Sequence, residues 1–358
     1  MRTNQRCWQA LLLLLPLAGV ATAVLAALIQ QTSILNPNSP HPHSRPALPE
    51  RYMGVNLAGG EFRTEMLPAV HGRDYAYPDG AAASPFLAAG MTAVRLPFRW
   101  ERLQPTPMAP LDTGELAHLN ASLEALRGFK LVILDLHNYA NYKGVKLGTG
   151  NAPGALLVDF WTRLAKHYRN DSRIAFGLMN EPNGIDGALW RDIAQETLSA
   201  IRITGARNLV LVPGSNWTGA HSWTKGGERS NAARMSSLRD PVRNMAFEMH
   251  QYLDAHSTGT SDACISPEQV ATRLASATEW LREHHARGFL GEFGAPPTSD
   301  CLVALETMVS LLDDGRDVWL GWTYWAGGAR WNHYPLSIQP DAGGPKPQMQ
   351  VLMPYLSR

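Results

Sequence analysis

Polar side chains gather where apolar runs end. Arg95, His137 and Asn138, Asn180 and Glu181, Asn216 and Trp217, His250 and Tyr252, Glu292, and Trp325 each close or follow such a run. No cysteine stands among them, and the chain has no G-x-S-x-G elbow and no H-E-x-x-H pair. His284 and His285 are adjacent on a helical stretch, where neighbours do not share a face, so no metal site is expected. What remains is a pair of glutamates among histidine, arginine, tyrosine and tryptophan. Two such carboxyls suit cleavage of a glycosidic bond. One carboxylic acid protonates the leaving oxygen, and the second carboxylate attacks the anomeric carbon or activates water. Their surroundings must push their pKa values apart. Arg95 and Tyr252 are the groups that would hold one carboxylate ionised, and the other, facing that charge with less compensation, keeps its proton. Tryptophans at the same run ends offer flat apolar faces to sugars; Trp217, Trp223 and Trp325 are the candidates. Trp161, Trp190 and Trp280 lie in helical stretches and are expected in the core.

Something must bring these residues together. Eight short β-branched or apolar runs read as strands: Tyr52–Leu57, Met91–Leu96, Lys130–Leu136, Ile174–Met179, Leu209–Pro213, Met245–Tyr252, Gly288–Gly291 and Val318–Trp325. Helix-like patterns lie between them at Leu156–His167, Ala188–Ile201, Pro267–His285 and Leu302–Asp313. Strands alternating with helices imply βαβ units and a parallel sheet. Eight of them predict a (β/α)8 TIM barrel, whose strand C-termini all open on one face. That places the polar run ends side by side. A doubly wound open sheet is the alternative, but no glycine-rich phosphate fingerprint accompanies it.

Composition narrows the partners. The chain has 358 residues, 45% hydrophobic and 18% charged, with a net charge of +1. Residues 1–50 carry +2 of this, so residues 51–358 sit near −1, which excludes the basic footprint of a nucleic-acid binder. From Cys7 to Ser44 no charged residue occurs, while Arg2 and Arg6 precede an apolar run from Trp8 to Ile29. This is an export address over residues 1–30, either a cleaved signal peptide or an uncleaved anchor, and membrane contact is expected only through residues 8–29. Residues 31–49 form a proline-rich linker, and residues 50–358 a single catalytic domain. Three cysteines are too few for a disulfide scaffold. Export would favour a bridge between Cys264 and Cys301.

At this point the residues carry a resemblance. Val94-Arg95-Leu96-Pro97-Phe98, Leu136-His137-Asn138-Tyr139, Met179-Asn180-Glu181-Pro182, His250-Gln251-Tyr252 and Leu290-Gly291-Glu292-Phe293-Gly294 resemble glycoside hydrolase family 5 in order and spacing. The run Leu134-Asp135-Leu136-His137-Asn138-Tyr139-Ala140, the Gly214–Trp217 stretch, His250–Asp254 and the paired Cys264 and Cys301 are similar to its endoglucanase branch. The resemblance implies a retaining endo-β-1,4-glucanase with Glu181 as general acid/base and Glu292 as nucleophile. It implies that Arg95 and Tyr252 orient Glu292, Asn180 meets the sugar 2-hydroxyl, His137 and His250 line the reacting subsite and Trp325 stacks beneath that sugar. Asn138 and Asn216 either hold their loops or touch substrate. The implied partner is a β-1,4-linked glucan met by an exported monomer, with no cofactor. Mannan, xyloglucan and mixed-linkage glucan are rival substrates for the same mechanism, and a barrel that binds sugar without turnover is the rival of another class. Gly291-Glu292-Phe293 and the stretch before Trp325 depart from the branch in small ways that leave subsite detail open.

Overall fold

The computed structural model describes residues 50–331 and 333–356. The export segment and linker expected over residues 1–49 lie outside the described residues. Within the described residues no helix is long and apolar enough to cross a membrane.

Eight parallel strands close into a barrel in chain order. They are β1 (Tyr52–Leu57), β2 (Ala93–Phe98), β3 (Leu131–Leu136), β6 (Ile174–Gly177), β7 (Val210–Pro213), β8 (Met245–His250), β9 (Gly288–Glu292) and β10 (Trp319–Gly327). A two-residue hairpin, β4 (Asn141–Tyr142) with β5 (Val145–Lys146), rises after β3. The expected (β/α)8 barrel is therefore the observed one, with shifted bounds. The second strand runs two residues further than Met91–Leu96, because Pro97 and Phe98 still pair with Asp135 and Leu136. The fourth stops at Gly177, short of Met179, and releases the next residues into the mouth of the barrel.

The four expected helices form as Ala155–Tyr168, Gly187–Ile203, Pro267–Glu283 and Ser299–Asp314. Their starts follow local chemistry. Ser266 caps Pro267–Glu283 in a capping box with Gln269, and Asp186 accepts from the Ala188 and Leu189 N–H groups. Helices at Gly80–Ala88, Thr113–Ala125 and Pro347–Leu356 were not legible, since their apolar residues do not gather on one face. Between β7 and β8 the crossover holds 3-10 turns and one short helix, Asn231–Met235, in place of a full helix.

The side-chain alternation of the strands builds two cores. Outward residues such as Val132, Leu134, Phe247 and Leu290 join Trp161, Trp190 and Trp280 in the layer beneath the helices, where those three tryptophans were expected. Inward residues Ala93, Leu131, Ile133, Ala175, Leu211, Ala246, Phe289 and Leu320 form a separate plug. Continuing each inward row toward the strand C-terminus changes its character. Arg95 follows Ala93, Asp135 follows Ile133, and Glu248 follows Ala246, because residues two apart on a strand share a face. An apolar plug thus supports a charged layer directly below the barrel mouth.

Candidate active site

Arg95 is the centre of that charged layer and is fully buried. Its Nε donates to Glu248 Oε1 at 2.8 Å, Nη1 to Glu292 Oε1 and Asn56 Oδ1 at 2.9 Å each, and Nη2 to Asn180 Oδ1 at 2.7 Å. Asp135 Oδ1 lies 3.0 Å from Nη2. Burial works against its charge, but Asp135, Glu248 and Glu292 more than offset this and hold the guanidinium protonated. A buried cation without such partners would be strongly destabilising. Asn56 secures the same floor from β1, donating to the carbonyls of Gly291 and Thr323 at 2.9 and 3.1 Å.

Glu292, the last residue of β9, is bound on both oxygens. Arg95 takes Oε1, and the Tyr252 hydroxyl donates to Oε2 at 2.7 Å. Glu181 stands opposite, beyond the end of β6, with its backbone in the left-handed region at φ 43°. That conformation costs a residue bearing a β-carbon of order 1 kcal/mol, the kind of strain that collects at functional sites. Its Oε1 accepts from His250 Nδ1 at 2.8 Å. Burial raises the Glu181 pKa above the ordinary glutamate value, and the nearby Glu292 pushes the same way against His250. Carboxylate oxygens of Glu181 and Glu292 and a ring nitrogen of His250 all lie within 4.8 Å of one another.

The two histidines take opposite charge states. Burial disfavours the His250 cation, yet Glu292, Glu181 and Glu248 around it raise its pKa to about 10. His137 has fewer compensating neighbours, and burial drives it down to about 3, so its ring is neutral. With Nδ1–H donating to Asp135 Oδ2 at 2.7 Å, Nε2 is left as an acceptor for the Tyr139 hydroxyl at 3.0 Å and for Asn180 Nδ2 at 3.3 Å. Asn180 is thereby fixed with its oxygen on Arg95 and its amide on His137. The His137 ring stacks on Trp325, with centroids 5.5 Å apart and planes at 16°.

A cleft of about 730 Å³ opens over these groups. His137, Glu181, Trp217, Tyr252, Glu292 and Trp325 line it, as does Asn216, so most of the residues singled out in the sequence converge. Three consecutive left-handed residues, Asn216 to Thr218, hold Trp217 half out of the protein at 50% exposure, edge-on to Tyr139. One expectation needs adjustment, and one open alternative is decided. Trp223 is not a sugar platform; it is fully buried against Phe247 and Trp280. Asn138 serves its loop: its oxygen accepts from the Trp100 N–H at 3.0 Å and its amide donates to both Glu101 oxygens at 2.9 and 3.0 Å. The bridge between Cys264 and Cys301 is formed.

Sequence reasoning missed Asp135 and Glu248, which brace Arg95, and Tyr139, which lines the cleft. The first two had a signal. Each lies two residues before a predicted site histidine, on the same strand face. The loop 256–262, which walls the cleft, had none.

The barrel and its sequence have close counterparts among known proteins. Residues 53–328 match the cellulase family, glycosyl hydrolase family 5. Endo-beta-1,4-glucanase B of Aspergillus niger is 32% identical over 340 residues, covering 94% of this chain and 95% of the relative. The solved structure of XacCel5A in complex with cellopentaose superimposes with a TM-score of 0.83 at 47% identity, covering 86% of this chain and 99% of that one. Pseudomonas stutzeri endoglucanase Cel5A, solved with cellobiose, gives 0.79 at 30% identity, with coverage of 85% and 92%. With the family model spanning the barrel from β1 to the end of β10, the chain belongs to glycosyl hydrolase family 5, the cellulase family.

Proposed function

We propose that this chain is an exported endo-β-1,4-glucanase that retains anomeric configuration by double displacement. In the first step a Glu292 oxygen bonds to the anomeric carbon as the bond to the leaving sugar oxygen breaks, and Glu181 gives that oxygen its proton. In the second step water loses a proton to the Glu181 carboxylate while its oxygen takes the anomeric carbon and frees Glu292. The observation that carries this reading is the contrast between the two carboxyls. Glu292 is held by a cation and a hydroxyl, whereas burial favours the proton on Glu181, and the two come within 4.8 Å. Retaining enzymes place these groups about 5–5.5 Å apart, and inverting ones leave about 6.5–9.5 Å for a water. Asn180, fixed by Arg95 and His137, has an amide hydrogen left for the sugar 2-hydroxyl, and Trp325 supplies the apolar face beneath that sugar.

A β-1,4-glucan is the proposed substrate because the similar proteins carry endoglucanase names and two were solved with cellopentaose and cellobiose. Export over residues 1–30, a linker over 31–49 and a catalytic domain from residue 50 complete the proposal. The Cys264–Cys301 bridge supports it, since such bridges persist in oxidising compartments. The test measures reducing-end release by residues 50–358 from carboxymethylcellulose, mannan, xylan and xyloglucan, beside a Glu292→Gln variant. Preferential activity on carboxymethylcellulose that the variant lacks is expected. Activity on another glycan would move the substrate, and binding without turnover on all of them would overturn the reading.

A further inference from the structure

One wall of the cleft is a tightly bonded loop that the two-glutamate chemistry does not itself explain. It leaves β8 through Tyr252 and returns at Ile265, whose N–H donates to the Leu253 carbonyl at 2.8 Å. Asp254 sits buried inside it. Its carboxylate accepts from the backbone N–H of His256 and Thr258 at 2.9 Å each, from the Thr258 hydroxyl at 3.2 Å, and from the N–H of Gly259. Burial would raise this carboxyl, but the Thr258, Gly259 and His256 N–H groups more than offset it and keep it ionised. Arg273 ties the outer side, donating to the Asp254 and Ala255 carbonyls and the Ser257 hydroxyl at 2.7–2.8 Å. Cys264, bonded to Cys301, anchors the end.

The tip of the loop reaches the chemistry. Gly259 has φ 70°, a conformation that favours glycine, and a β-carbon placed there would lie 2.6 Å from the Tyr252 ring. The backbone of Gly259 therefore packs directly against that ring. On the far end of the same ring, the hydroxyl donates to Glu292.

We propose that Asp254 is a positioning residue: by holding Gly259 on the Tyr252 ring, its carboxylate keeps the Tyr252 hydroxyl on Glu292. This rests on Glu292 being the nucleophile. An amide cannot accept from an N–H through its nitrogen, so Asp254→Asn keeps size but loses either the Thr258 and Gly259 bonds made to Oδ2 or the His256 and Thr258 bonds made to Oδ1. A double-mutant cycle combines it with Tyr252→Phe, using a soluble cello-oligosaccharide and thermal melts as the folding control. Asp254→Asn is expected to lower kcat about tenfold with little change in KM, and to lower it less than about twofold when Tyr252 is already Phe, because residues acting through one another are not additive. An equal loss in both backgrounds, or a loss confined to KM, overturns the proposal. Gly259→Ala, whose β-carbon presses on the ring, must show the same dependence on Tyr252, and it serves alone if Asp254→Asn does not fold. A crystal structure of either folded variant decides the point without turnover. A Tyr252–Glu292 separation beyond hydrogen-bonding distance is expected, and an unchanged 2.7 Å overturns it. If the wild type hydrolyses nothing, the functional reading falls while that distance still tests the loop.

Discussion

His250 controls how long Glu181 keeps its proton, and removing it should move the alkaline limit of activity upward. The His250 Nδ1–H donates to Glu181 Oε1 at 2.8 Å, and surrounding carboxylates hold the ring charged to about pH 10. That cation favours the ionised form of Glu181, opposing the burial that favours the proton. His250→Asn removes the charge but keeps a group able to donate. A hydrogen bond to a charged group contributes about 1.5–3 kcal/mol, and each pKa unit corresponds to about 1.4 kcal/mol. Since the amide restores part of the bond, the Glu181 pKa should rise by about one unit. The proposed first step needs Glu181 protonated, so the alkaline limb of kcat/KM should move to higher pH by the same amount, even as the maximum rate falls. The profile of the free enzyme is read from initial rates on a soluble cello-oligosaccharide between about pH 4 and 10. An unpaired sugar-ring leaving group is needed, because an activated aryl leaving group would hide the proton transfer. An alkaline limb that stays in place, or moves down, would refute the assignment of Glu181 as the proton donor regulated by His250.

Three further outcomes follow from the geometry. Burial raises the Glu61 pKa to about 8, so the contribution of this one carboxyl to stability is fully present below the ordinary glutamate pKa and is lost as pH climbs to about 8; the melting-temperature advantage of Glu61→Gln should therefore grow from pH 5 to 9, and a constant difference would contradict it. The Cys264–Cys301 bridge joins positions 37 apart, worth about 4 kcal/mol in the chain-entropy model, or about 6 °C for a domain of this size; reduction that leaves the melting temperature within about 1 °C would show the loop is held by other contacts. Trp217, half exposed in the cleft, should act by binding alone. Covering about 80 Å² of its ring is worth about 2 kcal/mol, so Trp217→Ala should raise KM on a soluble glucan roughly thirtyfold and leave kcat within about threefold; an equal fall in kcat would place Trp217 in the transition state instead.

The barrel was legible because its signals are local. Short apolar runs at regular intervals define parallel strands, and chain order suffices to close them. That Glu181 and Glu292 meet followed from strand ends sharing one face, whereas the assignment of Arg95 and Tyr252 to Glu292 was implied by the family resemblance and is seen in their hydrogen bonds. Helices with dispersed apolar residues, such as Thr113–Ala125, were missed because packing rather than amphipathic pattern stabilises them.

Residue types and order along the chain determined the architecture and which carboxyls meet. They did not determine which charge each group carries. His137 and His250 are both histidines at strand ends, yet one is neutral and the other a cation, because burial acts on both and only His250 has enough carboxylates around it. The same holds for Trp217 and Trp223, six residues apart. A left-handed turn lifts one into the cleft, while the next turns bury the other under β8. Asp254 and its loop belong wholly to the tertiary level, since their effect passes through a glycine resting on a ring seven residues away in sequence. Strand periodicity is written in neighbouring residues, but charge state, loop path and contact across the cleft depend on what the completed barrel brings within a few ångströms.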